Sequence, residues 1–145
     1  YCRHYRDRYG KIDIVYGSRS MQDLVDYHEI VDEWTADRDV HVHLTIDREQ
    51  PEWQGHVGFV PNYVGELGFT TDKVAIICGP PIMIKFTLAG LEKLGFNKTQ
   101  IYTTMELRMK CGIGKCGRCN IGSKYVCKDG PVFRMDALEE LPAEY

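Results

Sequence analysis

Four cysteines carry the most chemistry in this sequence. Cys111, Cys116, Cys119 and Cys127 fall within seventeen positions, while Cys2 and Cys78 stand alone. The motif runs Cys111-Gly112-Ile113-Gly114-Lys115-Cys116-Gly117-Arg118-Cys119, and Cys127 follows after seven more residues. Four thiolates saturate a [2Fe-2S] core, and gaps of four and then two intervening residues suit its binding loop. Gly112, Gly114 and Gly117 fit the same chemistry, because backbone N–H groups must approach sulfur at φ values that a Cβ obstructs. Lys110, Lys115 and Arg118 are placed to offset the negative charge of a cluster and to favour thiolates. Four cysteines also suit a structural zinc ion or a disulfide framework. The glycine density and the four-residue first gap favour the cluster over the paired Cys-x-x-Cys of zinc. The long cysteine-poor stretch before the motif favours a reducing compartment, the cytoplasm, over export.

The elements that must position these residues are an alternation of strands and helices. Tyr1, Tyr5 and Tyr9 recur every four residues before Gly10, which predicts the end of a helix stopped by a left-handed glycine. Ile12 to Tyr16 is a short β-branched run, and Leu24, Tyr27, Val31 and Trp34 then recur at helical spacing. Val40 to Ile46 predicts a second strand, and a loop through Pro51 and Gly55 leads to a short helix around Tyr63 to Leu67. Val74 to Cys78 is apolar without alternation, as in a strand covered on both faces, and Gly79-Pro80-Pro81 turns it into a helix reaching Gly95. A last strand spans Gln100 to Thr104.

Strand starts near 12, 40, 74 and 100 have the spacing of βαβ units, which predicts a doubly wound α/β fold with a parallel sheet. Ligands of such sheets sit off the carboxyl ends of the strands. That rule lines Gly17-Ser18-Arg19, Thr45-Ile46-Asp47, Cys78-Gly79-Pro80 and Met105-Glu106 along one rim. The sequence then divides into residues 1–107, the α/β domain, and 108–145, the cysteine module with its tail.

Length and charge bound what else the chain can be. With 145 residues, 43% of them hydrophobic, it can bury one ordinary core plus a small appendage. A net charge of −3 argues against nucleic acid or an anionic membrane as a partner. No apolar run reaches the roughly 18 residues of a membrane span. His41 and His43 share one strand face with no third ligand in reach, so they read as packing residues. Trp34 and Trp53 read as packing or rim cover, and Asp136 to Glu144 as an acidic, solvated or partner-facing end.

The stretch from Met105 through Cys119, with Val126-Cys127-Lys128-Asp129-Gly130-Pro131-Val132-Phe133 and the Cys78-Gly79-Pro80-Pro81 turn, resembles one family over essentially the whole chain. It is similar to the ferredoxin-reductase-like electron-transfer subunits: sulfhydrogenase gamma, anaerobic sulfite reductase B and the dihydroorotate dehydrogenase electron-transfer subunit. The run Arg108-Met109-Lys110-Cys111-Gly112-Ile113-Gly114-Lys115-Cys116-Gly117 is closest to the first two. The resemblance implies a flavin-binding barrel, a nicotinamide-nucleotide domain and a C-terminal [2Fe-2S] module. The barrel and the first glycine-rich strand and turn have no counterpart in this sequence, so the chain is expected to be a C-terminal portion, with FAD held by the missing barrel or a partner chain. The resemblance further implies that Cys78, Gly79 and Pro80 lie at the hydride-transfer rim and that Glu106 orients the nicotinamide amide or relays a proton. Gly17, Ser18 and Arg19 would meet the adenosine ribose, with Arg19 suited to a 2′-phosphate or to stacking on adenine, and Asp47 would contact the nucleotide. On composition alone Cys78 is a buried strand end, and Arg19 and Glu106 are solvated charges.

The function so implied is electron transfer between NAD(P)H, through FAD, and a [2Fe-2S] cluster held by Cys111, Cys116, Cys119 and Cys127. The implied partner is a catalytic redox subunit of a hydrogenase, sulfite reductase, heterodisulfide reductase or dihydroorotate dehydrogenase type complex. The rival is a non-redox zinc module used for protein contact.

Overall fold

The computed structural model describes residues 4–138 and separates into two compact units, one up to Leu67 and one from Gly68 onward. Tyr1, Cys2 and the acidic run past Leu138 lie outside the described residues.

The first unit is built on three parallel strands, β1 (Ile12–Ser18), β2 (Val40–Ile46) and β3 (His56–Val57), in that order. β1 and β2 pair from Ile12↔Val40 to Ser18↔Ile46. Both strands therefore end side by side, and the loops starting at Arg19 and Asp47 leave from one end, as the rim expectation requires. Helix α1 (Val60–Leu67) follows, and Leu24, Ile30, Val40, Ile46 and Val64 are the buried apolar residues of the unit. A Cβ on Gly17 would stand 2.4 Å from Val60 Cγ2 and 3.0 Å from Thr45 Cγ2, so glycine lets α1 close on β1.

Two sequence expectations fail in this unit. The predicted helix from Leu24 to Trp34 is instead a 3₁₀ turn at Met21–Asp23 and a π-helical stretch at Glu29–Trp34. Asp26 lies between them at φ 55°, and such a left-handed residue breaks an α-helix. The residues buried are Leu24 and Ile30, six apart, rather than an i, i+3, i+7 series. The opening stretch holds only a 3₁₀ turn at Arg6–Arg8, and Gly10 is not left-handed. Arg6 is what ties that turn down, donating from Nε and Nη2 to Arg38 O at 3.0 and 2.7 Å.

The second unit contains β4 (Ala75–Ile77), α2 (Pro81–Lys93) and β5 (Ile101–Thr104), with β4 and β5 parallel. Pro81 opens α2 at a position whose N–H has no helical acceptor, and Ile84 N donates to Pro80 O at 3.0 Å. After β5 come the hairpin strands β6 (Asn120–Ile121) and β7 (Lys124–Tyr125), the one-turn helix α3 (Val126–Asp129) and β8 (Val132–Arg134). β8 returns to pair antiparallel with β5, so the sheet runs β4-β5-β8. The parallel α/β architecture expected from strand spacing is present, and the cysteine segment adds an antiparallel strand to it. The expectation that Val74 to Cys78 is covered on both faces fails: Ile77 is buried, whereas Val74 and Ile76 are 63% and 74% exposed. β4 is an edge strand of its sheet and only one of its faces is packed. No described helix is long and apolar enough to cross a membrane.

Candidate iron-sulfur centre and nucleotide rim

The cysteine loop is shaped by backbone rather than by side-chain contacts. Gly112, Gly114 and Gly117 take φ values of 70°, 71° and 70°, the left-handed region that a Cβ disfavours. This turns N–H groups inward. Lys115 N and Cys116 N point to Cys111 Sγ at 3.3 and 3.4 Å, and Gly114 N points to Cys127 Sγ at 3.3 Å. Donors aimed at sulfur favour thiolate. The N–H groups of Ile113, Cys116 and Lys115 lower the Cys111 thiol to about 6. Cys127 is raised, first by the hydrogen bond it shares with the Cys119 thiol and next by burial, against the lowering effect of Gly114 N–H.

The Cys111 and Cys116 thiols share a hydrogen bond, as do those of Cys119 and Cys127, and Cys111 also acts electrostatically on Cys127. A binuclear core draws on four such sulfurs. Among the described residues, no three His, Cys, Asp or Glu side chains are grouped around one point as a mononuclear ion would need. The residues fit a [2Fe-2S] cluster on two counts: four free thiols and inward N–H donors. The floor beneath them is a small core of Cys119, Ile121, Val126 and Phe133, at 2%, 0%, 0% and 6% exposure. Val126 N donates to Cys119 O at 2.9 Å, which holds the third cysteine of the motif against the helix carrying the fourth.

In the same unit Cys78, Gly79 and Pro80 leave the carboxyl end of β4, and Met105 and Glu106 leave that of β5, the strands being paired Ile77↔Thr103. Cys78 is exposed, not a buried strand end, and Glu106 is exposed as well. Met105 N donates to Pro131 O at 2.9 Å, joining the exit of β5 to the segment after α3.

In the first unit Ser18, Arg19 and Asp47 converge. Asp47 N donates to Ser18 O at 3.0 Å, and Ser18 Oγ donates to Ser20 O at 2.5 Å. A cleft of about 560 Å³ opens beside them, lined by Arg19, Ser20, Asp23, Asp47, Arg48 and Gln50 among others. Arg19 is largely exposed and stands 4.0 Å from Asp23. Gly17 lies one step back, in the packed seam under α1.

Sequence reasoning passed over His56. Its ring stacks on Tyr63 at 3.7 Å between centroids and 6° between planes. Thr45 Oγ1 lies 2.6 Å from Gly58 O and 2.8 Å from His56 Nδ1. A hydroxyl has one proton, and Thr45 donates its own to the carbonyl, so His56 Nδ1 donates to Thr45. Nε2 stands 2.9 Å from Glu66 Oε2. His56 and Tyr63, with Trp53 and Tyr27, border a second cleft of about 420 Å³. No periodicity marks His56, because it joins a two-residue strand to the helix after it. His43, read as a packing residue, pairs with the nearly buried Asp13 at 3.2 Å, whereas His41 is exposed.

Known proteins resemble the chain in both its α/β part and its cysteine segment. Residues 2–89 match the oxidoreductase NAD-binding domain, and residues 106–139 match the iron-sulfur cluster binding domain of dihydroorotate dehydrogenase B. The sulfhydrogenase 1 subunit gamma of Pyrococcus furiosus is 37% identical over 140 residues, covering 92% of this chain and 48% of the relative. A probable dihydroorotate dehydrogenase B (NAD(+)) electron transfer subunit of Thermococcus kodakarensis is 32% identical, covering 95% of this chain and 53% of its own. The chain thus spans about half the length of these relatives. The solved structure of an NADH-dependent reduced ferredoxin-NADP oxidoreductase superposes with a TM-score of 0.65 at 26% identity, over 99% of this chain and 51% of that one. The chain belongs to the oxidoreductase NAD-binding domain family and joins that domain to an iron-sulfur cluster binding domain of the dihydroorotate dehydrogenase B kind.

Proposed function

We propose that this chain is the electron-relaying part of a multi-subunit oxidoreductase in a reducing cytoplasm, working between NAD(P)H and a [2Fe-2S] cluster on Cys111, Cys116, Cys119 and Cys127. The observation that carries the reading is the glycine-bent loop whose N–H groups are aimed at Cys111 and Cys127, in a chain that also belongs to an NAD-binding family. A nicotinamide gives electrons in pairs and a [2Fe-2S] cluster takes them singly, so a flavin must stand between. We assign that flavin to a segment outside these residues or to a partner chain. The functional division is 1–107 for the nucleotide and 108–145 for the cluster.

Each residue has a stated task in this reading. Ser18, Arg19 and Asp47, with Gly17 behind them, hold the adenosine end of the nucleotide in the larger cleft. Cys78, Gly79 and Pro80 form the surface on which the nicotinamide rests, and Glu106 at the neighbouring strand end orients its amide. The N–H groups of Ile113, Gly114, Lys115 and Cys116 keep sulfur anionic. The partner is a catalytic redox subunit of the hydrogenase, sulfite reductase, heterodisulfide reductase or dihydroorotate dehydrogenase type. The sulfhydrogenase and dihydroorotate dehydrogenase relatives support a subunit role.

The test is metal and sulfide analysis of anaerobically purified protein, with absorption and EPR spectra before and after dithionite. About two irons and two sulfides per chain, with a rhombic signal on reduction, is the expected result. One zinc per chain and a silent spectrum would overturn the reading in favour of a structural zinc module.

A further inference from the structure

From Leu107 to Lys128 the chain carries six cations, Arg108, Lys110, Lys115, Arg118, Lys124 and Lys128, and not one Asp or Glu. The chain as a whole has a net charge of −3, so positive charge is gathered at the cysteine loop against the trend of the molecule. Five of the six are exposed, Lys124 being half-buried, and none of them forms an ion pair with a described carboxylate.

Neutralising the cluster does not account for them. A [2Fe-2S] core on four thiolates carries roughly −2 oxidised and −3 reduced, which leaves a surplus of positive charge. The contacts made to Cys111 and Cys127 sulfur come from backbone N–H groups and neighbouring thiols, not from ammonium or guanidinium groups. Between the cations stand two apolar side chains that water does not favour, Met109 at 51% and Ile113 at 61% exposure. Exposed cations interleaved along the chain with exposed apolar side chains, a cationic rim to the cysteine loop, have the composition of a docking face, where charge steers the encounter and apolar contact sets the stop.

We propose that this rim is where an acidic redox protein docks to exchange electrons with the cluster: a partner whose carboxylates ring a shallow apolar patch that receives Met109 and Ile113. The inference rests on the electron-relay reading and specifies the partner chemistry at that site. Nucleic acid is the other polyanion such a rim can attract, and a duplex oligonucleotide distinguishes it from a protein partner.

The probe is a small acidic ferredoxin, with basic cytochrome c and the duplex oligonucleotide as comparisons. Its affinity for the cluster-loaded chain is measured by calorimetry from about 0.01 M to about 0.15 M salt, over which the screening length falls from roughly 30 to 8 Å. We expect ferredoxin to bind and its affinity to fall about tenfold or more across that range. The Arg108→Glu/Lys110→Glu chain should lose about tenfold in affinity with its cluster absorption unchanged, and Lys85→Glu on α2 should lose none. If the double variant fails to load its cluster, Lys124→Glu, on β7 rather than in the Cys111–Cys119 stretch, replaces it. No ferredoxin binding, binding insensitive to salt, equal binding of cytochrome c or of the oligonucleotide, or unchanged affinity in the charge reversals would each overturn the proposal. Absence of iron and sulfide from the chain would instead defeat the relay reading on which it rests, so the two failures are distinguishable.

Discussion

Cys116 and Cys119 are separated by two residues, yet one is exposed and the other is 2% exposed in an apolar floor. Their serine variants should therefore part company. Both are expected to lose the cluster, seen as loss of iron and of visible absorption. In the cluster-free proteins Cys119→Ser buries a hydroxyl beside Ile121, Val126 and Phe133 and should cost about 1–3 kcal/mol in urea unfolding, whereas Cys116→Ser should stay within about 0.5 kcal/mol of its parent. Equal costs would mean that Cys119 is held by its ligand role alone. The choice of nucleotide also belongs at this scale. The larger cleft holds three carboxylates, Asp23, Asp47 and Glu49, against Arg19 and Arg48, and Arg19 stands within ion-pair distance of Asp23. A 2′-phosphate has to displace that pair, whereas a ribose hydroxyl can donate to a carboxylate. NADH should bind more tightly than NADPH in a direct titration, and Asp23→Ala should improve the relative affinity for NADPH by roughly two- to fivefold, the worth of one exposed ion pair. The four cysteines were legible in the sequence because their spacing and glycines have one common cause, sulfur that needs N–H donors. His56 was not, since its partners Thr45, Tyr63 and Glu66 come from two other elements, β2 and α1.

Gly17 shows how an element can hide the reason for a residue. Read from the sequence it belongs to the nucleotide rim, while in the fold its missing Cβ is what admits Val60 at the start of α1. Gly17→Ala should destabilise by about 1–3 kcal/mol through overpacking, and Val60→Ala in the same chain should recover most of the loss, read as the midpoint of denaturant unfolding. A neutral Gly17→Ala that weakens nucleotide binding would assign the glycine to the ligand instead. Strand positions were legible because β1, β2, β4 and β5 are apolar, β-branched runs at βαβ spacing. The stretch from Leu24 to Trp34 misled because helical spacing of apolar residues says nothing about Asp26, whose left-handed backbone divides the segment into tighter and wider turns. β8 escaped notice for another reason. A three-residue strand pairing antiparallel with β5 across the whole cysteine segment is set by long-range pairing, which no local pattern reports.

At the scale of the molecule, stability is unevenly distributed. The first unit has an extended parallel pair, seven residues of β1 against seven of β2, with five apolar residues buried around it. The cysteine segment has four buried residues, and one of them, Cys119, is a proposed ligand of the cluster. Fewer than about 40 residues seldom bury enough apolar surface to stay folded without a metal or other covalent tie. In that segment the free energy of cluster binding adds directly to the free energy of folding. Removing the cluster under reducing conditions should accordingly lower hydrogen-exchange protection about tenfold or more at the amides of Val126 and Gly130, whose acceptors are Cys119 O and Val126 O. The amides paired between β1 and β2 should keep theirs, because their partners owe nothing to the thiols. Loss of protection in both places at once would mean that the two units unfold as one cooperative body, and the cluster would then stabilise the nucleotide domain as well as its own loop.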